Sequence, residues 1–158
     1  MSLDSRYIQA DFGRLFRFLD KWEQALTNNP AAWRAMSIPY YGYISRIFKA
    51  QGIPVWKDLA ESTKKQRRNK KKFQIGVDTG QMRASLTGPS SPGSVIAFGR
   101  NHLVVGTMLK RARWFHDGTT NSSGRLQQPA RTILQNPDAR TTTAMLRAFL
   151  HVARKKAK

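Results

Sequence analysis

From Ile8 onward, apolar residues recur at Ile8, Phe12, Leu15, Leu19, Trp22 and Leu26, in steps of four and three, while Arg14, Arg17 and Lys21 fall on other faces. That spacing predicts an amphipathic helix. Asn28-Asn29-Pro30 stops it, and Asn29-Pro30 opens a second helix as N-cap and first-turn proline. Pro39 predicts a kink or break near Ser37, followed by a helical piece that carries Tyr43, Ile44, Ile47 and Phe48 and ends at Gly52. Asp78 or Thr79 is placed to cap a short helix through Ser85, ahead of the turn cluster Pro89-Ser90-Ser91-Pro92-Gly93. Ser94 to Phe98 and His102 to Thr107, rich in Val and Ile and separated by Gly99-Arg100-Asn101, predict an antiparallel hairpin. Further strands are expected around Phe73 to Val77 and in the segment leading into Pro129, with Thr119 to Gln128 a polar loop containing Gly124. Asn136-Pro137-Asp138 caps a last helix on which Thr142, Leu146, Phe149, Leu150 and Ala153 share a face, and its end, Arg154 to Lys158, is expected to fray.

These elements predict an α+β fold: a single domain with a mainly antiparallel β-sheet packed by an N-terminal helical segment and a C-terminal helix. The helical segment covers residues 1–52, an α+β core 53–135, and the C-terminal helix with its basic tail 136–158. A chain of 158 residues has the length of one domain, and a domain of that size buries about 68–70% of its unfolded-chain surface. Lys and Arg number 28 against 9 Asp and Glu, a formal charge of +19. Self-repulsion on that scale calls for an anionic or acidic partner. The chain has no cysteine, which excludes disulfides, thiolate metal sites and a cysteine nucleophile. The opening Met-Ser-Leu-Asp-Ser-Arg lacks a signal-peptide apolar region, and no run approaches the ~18 apolar residues that span a bilayer, so a soluble chain without membrane contact is expected.

Asp78-Thr79-Gly80 matches half of an aspartic-protease dyad, which a chain of this length would complete by dimerising. A helix-like Gln-Met-Arg-Ala-Ser follows at once, where such a dyad needs a loop closed by apolar strands. The structural alternative has Asp78 capping that helix, Gly80 in a tight turn, and Arg83 facing a carboxylate or a neighbouring subunit. His116 beside Asp117 invites a catalytic-base reading, yet sequence neighbours rarely orient each other in that way, and a hydrogen-bonded structural His116 is favoured. His102 and His151 fall at no metal-ligand spacing, and the acidic residues form no cluster. With no nucleophile elbow and no phosphate loop, a non-enzymatic protein without cofactor or metal is expected. Lys64, Lys65, Arg67, Arg68, Lys70, Lys71 and Lys72 form a dense basic run suited to DNA phosphates or to an acidic protein. No sequence-reading motif accompanies it, so a phosphate-backbone binder without sequence preference is the alternative function.

Five short motifs stand in a fixed order. Phe48, Gly52-Ile53-Pro54, Trp56, Leu59 and Thr63 come first. Gly76 to Arg83 with Ser85, then Val105-Gly106-Thr107, Phe115-His116-Asp117-Gly118 and Pro129-Ala130-Arg131 follow. In order and spacing, residues 40 to 135 resemble the phage virion-morphogenesis, or tail-completion, family, with Trp56, Asp78, Thr79, Gly80, Arg83, Ser85, Gly106, His116, Gly118, Pro129 and Arg131 at motif positions. Asp117 stands where that family commonly has Gln, and Met82 where it has Leu. The resemblance implies a structural component of a tailed bacteriophage virion that completes the tail at the head-tail junction. It also implies assembly in the host cytoplasm as a ring of copies, sixfold in this family, docked to tail and neck or connector proteins. The basic run is then expected to meet acidic tail or connector subunits, with packaged DNA as its other destination.

Overall fold

The computed structural model describes residues 13–27, 29–66, 74–100 and 102–157. The first helix, α1 (Gly13–Thr27), hands over to α2 (Pro30–Lys49) at a single buried side chain. Asn29 Oδ1 accepts from the Ala32 N–H at 3.1 Å, capping α2, while its Nδ2 donates to the Ala25 carbonyl at 3.0 Å and closes α1. The predicted start of the first helix at Ile8 lies outside the described residues.

Helix α2 runs unbroken through Pro39, so of the kink or break expected near Ser37 the break is absent. Proline inside a helix costs about 3 kcal/mol, but burying one large apolar side chain gains about 1.5–3 kcal/mol, and α2 buries several. Its first half gives Ala32, with Trp33 and Met36 packed beside it, to one cluster; its second half gives Tyr43, Ile44, Ile47 and Phe48 to another. A break would detach one cluster from the other. The helix stops in a Schellman turn: the Gly52 N–H reaches the Ile47 carbonyl at 2.9 Å and the Gln51 N–H reaches Phe48 at 3.2 Å. The left-handed residue there is Gln51 (φ 59°), one position before the expected Gly52.

Helix α3 (Glu61–Gln66) is followed by a turn at Gln74 to Val77, held by one isolated bridge, where a strand was expected; Phe73 lies outside the described residues. Next come α4 (Gln81–Thr87) and the expected hairpin, β1 (Ser94–Phe98) antiparallel to β2 (Leu103–Thr107), with Ser94 opposite Thr107 and Phe98 opposite Leu103. Helix α5 (Lys110–Asp117) leads to β3 (Thr119–Thr120) and β4 (Leu126–Gln128). These pair antiparallel, so the expected polar loop is a small hairpin turning at Gly124 (φ 76°), and the strand before Pro129 is present.

The fold is α+β in one domain, but its sheets are two separate two-stranded hairpins. The single packed sheet expected from the sequence is absent among the described residues. Strands of five and of two to three residues with half-covered faces cannot carry a core, and helices carry it instead. The N-terminal helices pack on α6 (Ala139–Ala157), and α2 with α6 is the largest contact between elements.

Asp138 starts α6, its Oδ1 accepting from the Thr141 N–H at 2.7 Å. Hydrogen bonds from Thr141, with Arg46 nearby, hold this carboxyl below the ordinary carboxylate range. From α2, Arg46 binds Asp138 and Thr141, and the Tyr43 hydroxyl donates to the Asn136 carbonyl at 3.1 Å, fixing the approach to the helix. The buried face of α6 is Thr141, Phe149, Ala153 and Ala157. Thr142, Leu146 and Leu150, expected on that face, are exposed. Alanines at 25, 32, 153 and 157 let three helices approach closely around the Trp33–Phe149 pair (4.8 Å between ring centroids), and that contact fixes the rotation of α6. Because Ala157 joins the cluster, the helix holds through it rather than fraying from Arg154.

The rotation of α6 is testable by urea denaturation. Phe149→Ala should cost about 3–5 kcal/mol, and Leu146→Ala should stay within about 0.5 kcal/mol. Equal losses would contradict the assignment of faces.

Candidate docking cleft

Trp56 brings the first motif to the others. Its ring is wedged edge-to-face between Phe48 of α2 (centroids 5.6 Å apart) and Phe115 of α5 (5.2 Å), and its Nε1–H donates to the Thr132 carbonyl at 3.1 Å. A β-carbon on Gly52 would fall 2.5 Å from Trp56 Cδ1, so this glycine admits the indole. Gly76 (φ 76°) turns the chain against the same stack, with room for no side chain before Phe48 and Phe115. Gln51 ties the two segments together: its Nε2 donates to the Phe48 carbonyl at 2.7 Å and its Oε1 accepts from the Ile75 N–H at 2.6 Å.

Arg131 completes the stack from the last motif. Its side chain is buried, with the guanidinium 5.4 Å from the Phe115 ring centroid, Nε donating to the Lys57 carbonyl at 3.0 Å and Nη2 to that of Asp58 at 3.2 Å. A buried charge is tolerated only when hydrogen-bonded in this way. His116 Nδ1 accepts from the N–H groups of Ile133 (3.0 Å) and Leu134 (3.4 Å), which locks α5 to the chain after Arg131. Asp117 turns instead to Arg113 at 3.5 Å, so the two neighbours form no dyad. Gly118 (φ 79°) lets the β3–β4 hairpin close over α5, where a β-carbon would lie 2.7 Å from the Gln128 carbonyl oxygen.

In front of this stack opens a cleft of about 600 Å³. Asp78, Thr79, Gly80, Pro129 and Arg131 line it, together with Lys57, Asp58, Thr63, Arg111 and Trp114. Four motifs therefore share one surface, since Thr63 of the first and Phe115 of the fourth also line it, with Trp56 and His116 bracing it from behind. Trp114 is 55% exposed, a large aromatic side chain left at the rim. Arg111, beside it, hydrogen-bonds Gln81 across the opening. Asp78 is exposed and caps nothing among the described residues; of the two expected caps it is Thr79 whose hydroxyl accepts from the Gln81 N–H, at 3.5 Å, while Gly80 takes the N-cap position at φ 77°. Arg83 meets no carboxylate among the described residues, contrary to one of its two expected roles.

The remaining motif positions act away from the cleft. Buried Ser85 of α4 shares a hydrogen bond of 2.9 Å with Thr107 of β2, and the Ser94 hydroxyl donates to the Ser85 carbonyl at 2.9 Å. Gly106 meets nothing at its β-carbon position, so Thr107 is the residue of that motif that makes the contact. Gln51 and Trp114 carry no assignment from sequence, and Thr107 enters there only as part of its motif and as the end of a strand. Trp114 alone left a signal, as an aromatic residue off the Ala112–Phe115 apolar face of α5.

Of the basic run, Lys64 lies in α3 with its Nζ 2.8 Å from both Asp58 and Glu61, which push its pKa up to about 12. Hydrogen bonding from Lys64 and from the Leu59 N–H holds Asp58 below its ordinary range. Lys64 thus closes a local ion-pair network instead of presenting a free charge. Lys65 is exposed on α3, and Arg67, Arg68, Lys70, Lys71 and Lys72 lie outside the described residues. The flanks of the run are fixed, since Thr63 before it and Gly76 after it line the same cleft. Among the described residues no group of His, Cys, Asp or Glu could hold a metal ion, and no helix is long and apolar enough to cross a membrane.

Two glycines separate backbone strain from crowding. Gly80→Ala meets open space and should cost only the left-handed penalty, about 1–2 kcal/mol, whereas Gly118→Ala should add an overpacking cost of about 1–3 kcal/mol. Denaturation midpoints of the two variants check this, and equal destabilisation would contradict it. Comparison of the chain with protein-family models, curated proteins and solved structures finds no match.

Proposed function

We propose that this protein is a structural, non-enzymatic component of a tailed bacteriophage virion. In this reading it completes the tail at the head-tail junction, where copies assemble into a ring, sixfold by the family resemblance, and dock to tail and neck or connector proteins. The observation that carries it is the convergence of motifs widely separated in sequence on one open cleft with an exposed tryptophan at its rim. Trp and Arg are enriched where protein partners anchor, and Trp114 with Arg111 supplies both. The cleft backs onto a braced aromatic stack, a rigid seat for a partner segment. Thr63 and Gly76, on either side of the basic run in sequence, line the cleft, and the charge of the run suits an acidic tail or connector surface.

The alternative, a nucleic-acid module without sequence preference, draws support from the +19 formal charge and from the exposed Lys65 at the start of the run. The two readings differ in what salt does. Neutralising Arg67, Arg68, Lys70, Lys71 and Lys72 should weaken docking to tail or connector proteins while leaving DNA affinity nearly unchanged. A loss of about 0.9Z in the log-log salt slope for duplex DNA, with Z phosphate contacts removed, would favour the alternative.

Phage lacking this protein should yield filled heads and tails that fail to join stably. Complementation with Trp114→Ala should restore joining poorly although the variant melts like wild type. Normal joined particles in the deletion would refute the proposed function, and full rescue by Trp114→Ala would remove the cleft from it.

A further inference from the structure

The charges of this chain are unevenly spent. Of the acidic side chains among the described residues, Asp58 and Glu61 pair with Lys64, Asp117 with Arg113, and Asp138 with Arg46. Asp20, Glu23 and Asp78 show no ion pair with another described residue. Asp20 and Glu23 sit together on α1 beside the tip of the β1–β2 hairpin, in a concavity where Arg100 is the one basic residue among the described lining. Within that concavity two carboxylates face one base, although Arg17 and Lys21 stand elsewhere on the exposed side of α1. The opposite case lies on α6, where Arg147, Arg154 and Lys155 surround Leu150 and His151 in a shallow groove without an acidic residue.

Both charged strips lie off the packed faces of their own helices. At about 100° per residue, Asp20 and Glu23 lie across α1 from Trp22 and Ala25, the positions packed in the helical core. Arg147 and Arg154 lie roughly across α6 from Phe149 and the rest of its buried face. Each charged strip is bordered by exposed leucines: Leu19 (50%) and Leu26 (38%) beside the acidic one, Leu146 (51%) and Leu150 (37%) beside the basic one. The two faces therefore match in both respects, opposite in charge and alike in carrying an apolar border.

We infer that the outer face of α1 in one copy docks on the outer face of α6 in a second copy, Asp20 and Glu23 against Arg147 and Arg154, with the leucines buried between them. The inference rests on the ring-assembly reading and names the surfaces that reading leaves open. Two copies of so basic a protein repel at long range, and within a Debye length of about 8 Å at physiological salt the contact must bring a negative patch to a positive one. The pairing uses two different faces, so repeated head to tail it generates a ring when the rotation closes.

A charge-exchange experiment on the purified full chain tests this by analytical ultracentrifugation across salt, with circular dichroism and melting as controls for folding. Asp20→Arg/Glu23→Arg and Arg147→Glu/Arg154→Glu should each, alone, weaken self-association by about tenfold or more. Mixing the two variants should restore assembly, because each then offers the face the other lacks. Should a reversed variant fail to fold, Asp20→Asn/Glu23→Gln and Arg147→Gln/Arg154→Gln are expected to weaken association in the same direction. Wild-type protein that assembles while the variants assemble equally well, or a mixture that stays apart, overturns this interface alone. Wild-type protein that remains monomeric at every concentration overturns the ring reading with it. A reversed α6 face that leaves assembly intact and abolishes duplex DNA binding would assign that face to nucleic acid and overturn the inference.

Discussion

The wedge of Trp56 between Phe48 and Phe115 is the constraint on which the candidate cleft depends. Edge-to-face aromatic pairs add about 0.5–1.5 kcal/mol each beyond burial, but their larger effect here is geometric. The stack joins the end of α2, the Gly76 turn, α5 and the segment from Arg131 to Ile133, and no pair of those segments is adjacent in sequence. The polar ends are satisfied on backbone carbonyls: the indole N–H on Thr132, the guanidinium on Lys57 and Asp58. A cleft wall built in this way cannot shift one motif without disturbing the others.

Helix α2 carries that centre to the rest of the molecule. Its C-terminal half belongs to the aromatic stack and its N-terminal half to the alanine-rich packing of α1 and α6. Both ends are fixed by side chains that serve two elements at once, Asn29 at the start and Gln51 at the end. This is why a proline in mid-helix is accommodated and why the molecule needs no large sheet. It also leaves the outer faces of α1 and α6 uncommitted inside the protomer.

Local chemistry was legible in the sequence where one residue suffices to set it. The Asn29 cap, the β1–β2 hairpin, the helical piece carrying Ile44, Ile47 and Phe48, and the tight turn at Gly80 could each be read from neighbours. Choices made by distant partners could not. Leu146 and Leu150 fit the apolar period of α6 as well as Ala153 does, and only the close approach allowed by Ala25 and Ala32 decides which stripe goes inward. The division into two sheets is not legible in the sequence, because a two-residue strand such as Thr119–Thr120 leaves almost no periodic signal. For the cleft, the motif residues were visible but their meeting place was not, and the Arg131 hydrogen bonds to residues 57 and 58 involve no recognisable pattern.

Cryo-electron microscopy of intact particles tests the central claim most directly. The account predicts this chain as a ring at the head-tail junction, with a partner segment seated against Trp114 and Arg111 in the cleft. Its absence from the particle, or a ring whose cleft faces empty solvent, would contradict that claim.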